Sequence, residues 1–328
     1  MTTVYSNRAL GILSEFIRER PQVGVWMLPA NICFSVPFLL ISLGRKMKFY
    51  DFGLGPEPVE RVLIKQQSAV TGVLLINHYG IPWDAQAVSA IRQCCTCLVL
   101  DACLSAPDFQ PSSSNKADLT LFSTGKGKVL ELGYGAFGHL LDPFNSNKMS
   151  IPRRDFSPAS YNLLDLYWKQ VLGGVRFAKE MVLMHKWVDA GNDLVSDPVA
   201  YSEQVHARLK TVLLHKTEIN KIYIDLIDAE FHWHPEGNTW RFNIMVDDAE
   251  LLLKELFARG LFASRHYANA ATCLGDDSSL PNADLVWKHM VNLFNSEQIT
   301  VDFAERCADT VQYLLSRGKL RPIKSMLP

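Results

Sequence analysis

Two stretches of the chain carry residue types at spacings that suit chemistry. Asp101 closes the apolar run Cys97 to Leu100. A carboxylate there is poorly solvated unless it meets a cation, or unless it caps a following helix by accepting from its first turn. The second stretch is Leu119 to Ala136, LTLFSTGKGKVLELGYGA, which holds a serine, a threonine, two lysines and glycines at 125, 127, 133 and 135. Glycines permit close backbone approach, and hydroxyls with backbone N–H groups suit a phosphate. The stretch is not a P-loop, since G-x-x-x-x-G-K-[ST] is absent. Alone it reads as a flexible Gly/Lys turn between two strands. Together the two stretches say more. Asp101 could pair with a protonated pyridine nitrogen, Lys128, 27 residues on, could form a Schiff base, and Ser123, five residues before that lysine, could hold a phosphate. Those are the three anchors of pyridoxal phosphate (PLP).

Such residues need a frame. Gly24 to Leu28, Lys48 to Asp51, Val73 to Asn77, Cys97 to Leu100 and Ala117 to Phe122 read as short apolar strands, with Lys128 to Leu132 a further apolar run. Phe34 to Leu43, Pro58 to Gln67 and Ala85 to Gln93 read as the helices between them. Apolar strands alternating with helices predict βαβ units and a mostly parallel sheet. Ligands bind beyond the carboxyl ends of such strands, at Pro29, Asp51, Asn77-His78, Asp101 and Ser123. Residues 106–116 read as a surface loop and 142–160 as a connector. Tyr161 to about Lys221 is helical with interruptions. Beyond it, a strand (Trp240 to Val246), an amphipathic helix (Ala249 to Arg259, ended by Gly260), a strand-like run (Leu261 to Tyr267) and a last helix (Val301 to Arg317) make an α+β lobe.

Composition bounds the remaining possibilities. The 328 residues carry 33 Lys+Arg against 34 Asp+Glu, with 48% hydrophobic residues, which excludes a disordered or fibrous chain and predicts two lobes. No basic excess or basic run supports a nucleic-acid or acidic-membrane partner. The opening MTTVYSNRALG has no apolar h-region, and the most apolar run, Ile32 to Leu43, is broken by Ser35, Pro37 and Ser42 and falls short of the ~20 residues of a membrane span. A soluble, reduced, cytoplasmic protein is expected. The seven cysteines are odd in number and four crowd between 94 and 103, unlike a disulfide scaffold. Cys94, Cys95 and Cys97 lack the two-residue gap of a zinc knuckle and read as buried thiols near a strand, while His232-Trp233-His234 reads as surface or rim residues on a strand. No metal is expected.

The order of these pieces resembles the DegT/DnrJ/EryC1/StrS family of sugar aminotransferases, which are fold-type I PLP enzymes. The family motif F-S-x-x-x-x-K-x-x-x-x-G-x-G reads here as Phe122-Ser123, Lys128, Gly133 and Gly135. Lys126 does not fit, because the residue five beyond it is Glu131. Upstream, His78 to Asp84 resembles HLYG-x-P-x-D, Leu100-Asp101-Ala102-Cys103 resembles E-D-x-A, and Leu28-Pro29-Ala30 resembles the LPA strand exit. Downstream, Trp240 to Tyr267 is similar to the small-domain strand, helix and H-Y segment, and Ser279 to Ala283 to the L-P-x-A turn. The resemblance runs from about residue 6 to the C-terminus and is weakest between 140 and 215.

The resemblance implies a fold-type I α/β architecture: a mostly parallel central sheet with helices on both faces and a small C-terminal α+β domain. Residues 1–150 would form the large PLP-binding domain, 151–220 a helical connector and 221–328 the small domain. Lys128 and Asp101 would be catalytic, and Ser123, Asn7, Arg8, Cys33 and Phe34 would join them around the cofactor. His78, Tyr79, His266 and Tyr267 would meet substrate. The implied reaction moves an amino group from an amino acid, glutamate in the family, to a keto sugar on a nucleotide, in a homodimer. Some positions depart from the pattern. Cys33, with Phe34 beside it, stands where an aromatic residue often stacks on the ring, and Leu104 where Gln or His is usual. The phosphate segment G-[TS]-x-A-L is Ser6 to Leu10 here, without its glycine, and G-x-N-x-R has no clear counterpart after Gly138. The chain is also short for the family at its N-terminus. A histidine at 128 would have implied a related dehydratase. A non-catalytic scaffold subunit, or PLP chemistry such as elimination, stand as the alternatives.

Overall fold

The computed structural model describes residues 2–51, 71–110, 117–141, 197–234 and 239–323. The helix expected at Pro58 to Gln67, the connector at 142–160 and the helical stretch up to residue 196 lie outside the described residues.

Strands β1 (Thr2–Ser6), β2 (Val25–Pro29), β3 (Lys46–Tyr50), β4 (Thr71–Ile76), β5 (Cys97–Asp101), β6 (Leu119–Ser123) and β7 (Ala136–Leu140) form one seven-stranded sheet in the order β1-β7-β6-β5-β4-β2-β3. Parallel pairs join β3, β2, β4, β5 and β6, while β7 runs antiparallel to both β6 and β1. Every residue of β4 is buried, because both faces of the sheet are covered. Trp26, Leu28, Leu74 and Ile76 pack on one face with Ile12 and Phe16 of α1 (Ala9–Arg18) and Phe38 of α2 (Ser35–Ser42). Their neighbours Met27, Val73 and Leu75 point the other way, onto Val88 and Ile91 of α3 (Ala85–Cys94). The alternation of a strand thus feeds two cores.

Three elements go beyond the sequence reading. Strand β1 and helix α1 were hidden in a polar-looking opening, and β7 lies where no strand was expected. The run Lys128 to Leu132 is not a strand; it lies in the turn that carries β6 back into β7.

The second sheet has the order β8-β10-β9 and is wholly antiparallel, from β8 (Phe242–Met245), β9 (Ala263–Ser264) and β10 (Met290–Leu293). Helices α4 (Pro198–Leu226), α5 (Ala249–Ala258) and α8 (Val301–Ser316) cover it, with Ile219, Tyr223, Leu252, Leu256 and Val311 packed on Phe242 and Ile244. The expected strand Leu261 to Tyr267 shrinks to β9, because the His266 N–H donates to the side chain of Asn292 at 2.9 Å rather than to a ladder. The chain then returns to the large sheet through α6 (Ala270–Cys273) and α7 (Pro281–His289). Asn31, just past β2, donates to the carbonyls of Tyr267 (2.8 Å) and Ala283 (3.0 Å). Asp51, just past β3, accepts from the N–H groups of Asn282 and Ala283. These bonds fix the second sheet's connecting segments at the carboxyl edge of the first. Among the described residues no helix is long and apolar enough to cross a membrane.

Candidate active site

Strand register decides what meets at that edge. Ser6 pairs with Ala136, and Ala136 with Ser123; Asp101 pairs with Ile76 on one side and Leu121 on the other. Asn7, Ser123, Asp101 and Asn77 therefore share one rim. Asp101 is not a helix cap. Its Oδ1 accepts the N–H of Cys103 at 2.9 Å in a local turn. The Cys103 thiol is pushed well above its usual range, by burial first and then by the Asp101 charge.

Lys128 sits on the turn between β6 and β7, and the neck of that turn is tightly closed. The Thr124 hydroxyl lies 2.7 Å from the Tyr134 carbonyl and 2.8 Å from the Tyr201 hydroxyl of α4, and the Gly135 N–H donates to the Asn7 carbonyl. Ser123 Oγ accepts from the Gly125 N–H at 3.3 Å. The indole N–H of Trp240 donates to the Gly127 carbonyl at 2.6 Å, which docks the turn onto the entrance of β8. Lys126 is exposed and Lys128 half-buried. The Lys128 charge acts on Cys103 and on His266, placing it between the rim and the second sheet.

The remaining expected residues divide. Cys33 is half-buried, with Sγ 3.1 Å from Ser35 Oγ, and acts electrostatically on Cys103 and Tyr267. Phe34 is instead buried in the core with Ile32 and Phe38. His78 is buried with Nε2 2.9 Å from the Asn31 carbonyl, and burial pushes its imidazole down to about 4. Tyr79 is fully buried and donates to the His266 carbonyl at 2.6 Å. These two side chains are spent on internal bonds. The His266 ring is pushed down to about 3 by burial, then by Arg241 and Lys128. The Tyr267 ring lies parallel to Trp240, with centroids 6.3 Å apart. Arg8 precedes α1 in extended conformation, and burial lowers its guanidinium.

Two other expectations are corrected. His232 is not on an exposed rim: it is buried, with Nε2 2.9 Å from the Ile227 carbonyl, and only His234 is exposed. Of the three clustered thiols, Cys95 and Cys97 are buried but Cys94 is exposed. Among the described residues no group of His, Cys, Asp and Glu is arranged to hold a metal ion.

The sequence reading missed two cations. Arg241, 9% exposed, donates to Ser264 Oγ and, at 3.4 Å, to His266 Nδ1, and its guanidinium lies 4.4 Å over Trp240 and 4.0 Å over Phe294. Lys216 of α4, 3% exposed, donates to the Trp240 carbonyl at 3.0 Å and to Asn295 Oδ1 at 2.7 Å. Burial lowers Arg241 to about 10 and Lys216 to about 7. Both line a recess with Lys128 and Glu131. The one available signal was an arginine inside the apolar run WRFNIMV.

No family model matches the chain, and no curated protein sequence does. Solved structures do match in fold. PseC from Helicobacter pylori, an aminotransferase of pseudoaminic acid biosynthesis, is 14% identical with a TM-score of 0.71, covering 97% of this chain and 87% of its own. Streptococcus pneumoniae Spr1654 in its PLP form is 16% identical with a TM-score of 0.68, over 96% and 87% of the two chains. DesI, solved in the presence of its TDP-sugar product, is 17% identical with a TM-score of 0.67, over 97% and 82%. The chain therefore has the fold-type I architecture of these proteins, a mostly parallel seven-stranded sheet with helices on both faces.

Proposed function

We propose that this protein is a PLP-dependent aminotransferase that moves an amino group from an amino acid, glutamate, to a keto sugar carried on a nucleotide. The observation that carries the reading is Lys128. Its half-buried amine has no hydrogen bond or ion pair among the described residues, yet it lies within electrostatic reach of Cys103, beside Asp101, and of His266. Lysines withdrawn from solvent and left free of partners are the ones used for carbonyl chemistry.

The residues at the rim fit PLP. The Asp101 carboxylate suits a protonated ring nitrogen. Ser123 Oγ and the backbone N–H groups at the start of α1, beside Asn7 and Arg8, suit a phosphate. When bound, PLP supplies an electron sink for the bond that breaks at the donor's Cα. Asp101 would hold the ring-nitrogen proton. The Lys128 amine would serve as the base that takes the proton from the donor's Cα and as the acid that returns it. His266, neutral at working pH, adds no charge to the site. Cys33 and Asp101 both lie within electrostatic reach of the Tyr267 hydroxyl. The family resemblance supports a cytoplasmic homodimer with glutamate as donor, and the TDP-sugar product of DesI supports a nucleotide-linked substrate. The same resemblance supports domains at 1–150, 151–220 and 221–328.

Absorbance spectroscopy tests the reading. Protein supplied with PLP should gain the yellow band of a lysine-bound cofactor, glutamate should bleach it, and Lys128→Ala should not form it. Wild-type protein that stays colourless with added PLP would contradict the proposal. A non-catalytic relative is the second reading, favoured by Leu104, which is buried among Tyr79, Val129 and Trp240 where the resembled family has a polar residue. Amino transfer from glutamate to any keto sugar would refute it.

A further inference from the structure

Lys216 lies on α4 and is 3% exposed, yet neither oxygen it meets is an anion. Its Nζ donates to the Trp240 carbonyl at 3.0 Å and to Asn295 Oδ1 at 2.7 Å. Asn295 is fully buried, and its Nδ2 donates at 2.9 Å to Asn220 Oδ1, one turn further along α4. The amide is thus held at both ends, with its oxygen turned to the lysine. Burial, then the Arg241 charge, lowers the Lys216 amine to about 7. Both bonds outlast that titration, because a neutral amine still has two N–H groups. For stability alone, an apolar side chain would serve such a position as well or better. A buried polar network with its partners in place instead fixes one arrangement of the groups it joins.

What Lys216 joins leads to Lys128. Trp240 stands just before β8, and its indole N–H donates to the Gly127 carbonyl at 2.6 Å. That carbonyl belongs to the peptide unit that enters Lys128, and the unit is planar. Fixing its oxygen fixes the plane from which the Lys128 side chain departs. One hydrogen bond, one tryptophan and a second hydrogen bond separate the Lys216 amine from the Lys128 backbone. The same helix reaches the neck of the turn through Tyr201 and Thr124, so α4 sets the turn in two places.

We propose that Lys216 is a positioning residue for Lys128: through Trp240 it sets the Gly127–Lys128 peptide so that the amine faces the rim where Asp101 and Ser123 lie. The role needs no contact with cofactor or substrate. The proposal rests on the aminotransferase reading, because the direction of the amine matters only if Lys128 bonds to PLP.

Two forms of the cofactor separate positioning from packing. PLP bonds to Lys128, whereas pyridoxamine phosphate has an amine in place of the aldehyde and binds without that bond. Equilibrium dialysis gives the dissociation constant of each. Lys216→Met keeps the apolar stem and removes the donors. It should weaken PLP binding about tenfold or more and leave pyridoxamine phosphate within about twofold of wild type. Trp240→Phe should do the same, and the double variant should lose no more than the larger single loss, since the two residues act in series. A Lys216→Met protein that binds PLP as wild type does, that loses both forms alike, or whose loss adds to that of Trp240→Phe would overturn the proposal. If Lys216→Met does not fold, Lys216→Gln, too short to reach both oxygens, is read by the same ratio. Wild-type protein that binds neither form contradicts the aminotransferase reading and this proposal with it. Wild-type protein that binds both, with the Lys216 variants unchanged, removes Lys216 alone.

Discussion

Gly135 sets the geometry of the Lys128 turn at the scale of one residue. Its φ is +90°, and a Cβ there would lie 2.2 Å from the ring of Tyr201, which itself anchors Thr124. Gly135→Ala combines a backbone strain that L-residues rarely accept with an overpacked contact. We expect it to cost about 2 kcal/mol or more, read as a lower midpoint in thermal denaturation; an unchanged midpoint would contradict the account. This glycine and Lys128 were legible, because a motif fixes them within one short stretch. Arg241 was not. Nothing in a one-dimensional spacing says that the first turn of the second sheet faces a lysine more than a hundred residues earlier. Phe34 and Cys33 part for a related reason: adjacent residues at a helix start point to different environments, and the bulkier one packs in the core while Cys33 is half-buried.

At the scale of elements, the Lys128 turn is held from two sides, by α4 through Tyr201 and by the approach to β8 through Trp240. Trp240→Phe keeps the ring but removes the donor to the Gly127 carbonyl. It should cost about 1–2 kcal/mol and should raise amide hydrogen exchange in residues 125–134, while exchange in α8 stays as in wild type. Equal protection of the turn in both proteins would mean that the bond does not hold it. The parallel strands β2, β4, β5 and β6 were readable as short apolar runs because both of their faces are buried. Strand β1 was not, since its residues are mostly half-exposed, and β7 was not, since glycine and histidine interrupt its apolar run. Tertiary pairing on either side of β7 supplies what its sequence lacks.

The whole molecule carries its pH response in buried histidines. In the unfolded chain His78 and His266 titrate near the usual value of about 6.5, whereas in the folded protein they are held down to about 4 and about 3. Between those values the unfolded chain binds more protons than the folded one, so stability rises with pH across that window and is lost as pH falls through it. Lys216, lowered to about 7, adds a gain of the same sign above neutrality. Denaturant midpoints should therefore fall steadily from pH 6.5 toward 4, and His78→Gln, which cannot charge, should flatten part of that slope. A slope as steep in His78→Gln as in wild type would remove His78 from the explanation. The formal charge of -1 gives the surface no anion-collecting excess. An anionic cofactor would then be held by local donors at the rim of the large sheet rather than by a charged surface.

The most direct test joins these scales at one atom. Protein treated with PLP, reduced with borohydride and digested should carry the pyridoxyl mass on the peptide containing Lys128, with fragmentation assigning it to Lys128 and not Lys126, and Lys128→Ala should lose it. A pyridoxyl group found on Lys126 or scattered over exposed lysines, or none at all, would contradict the account.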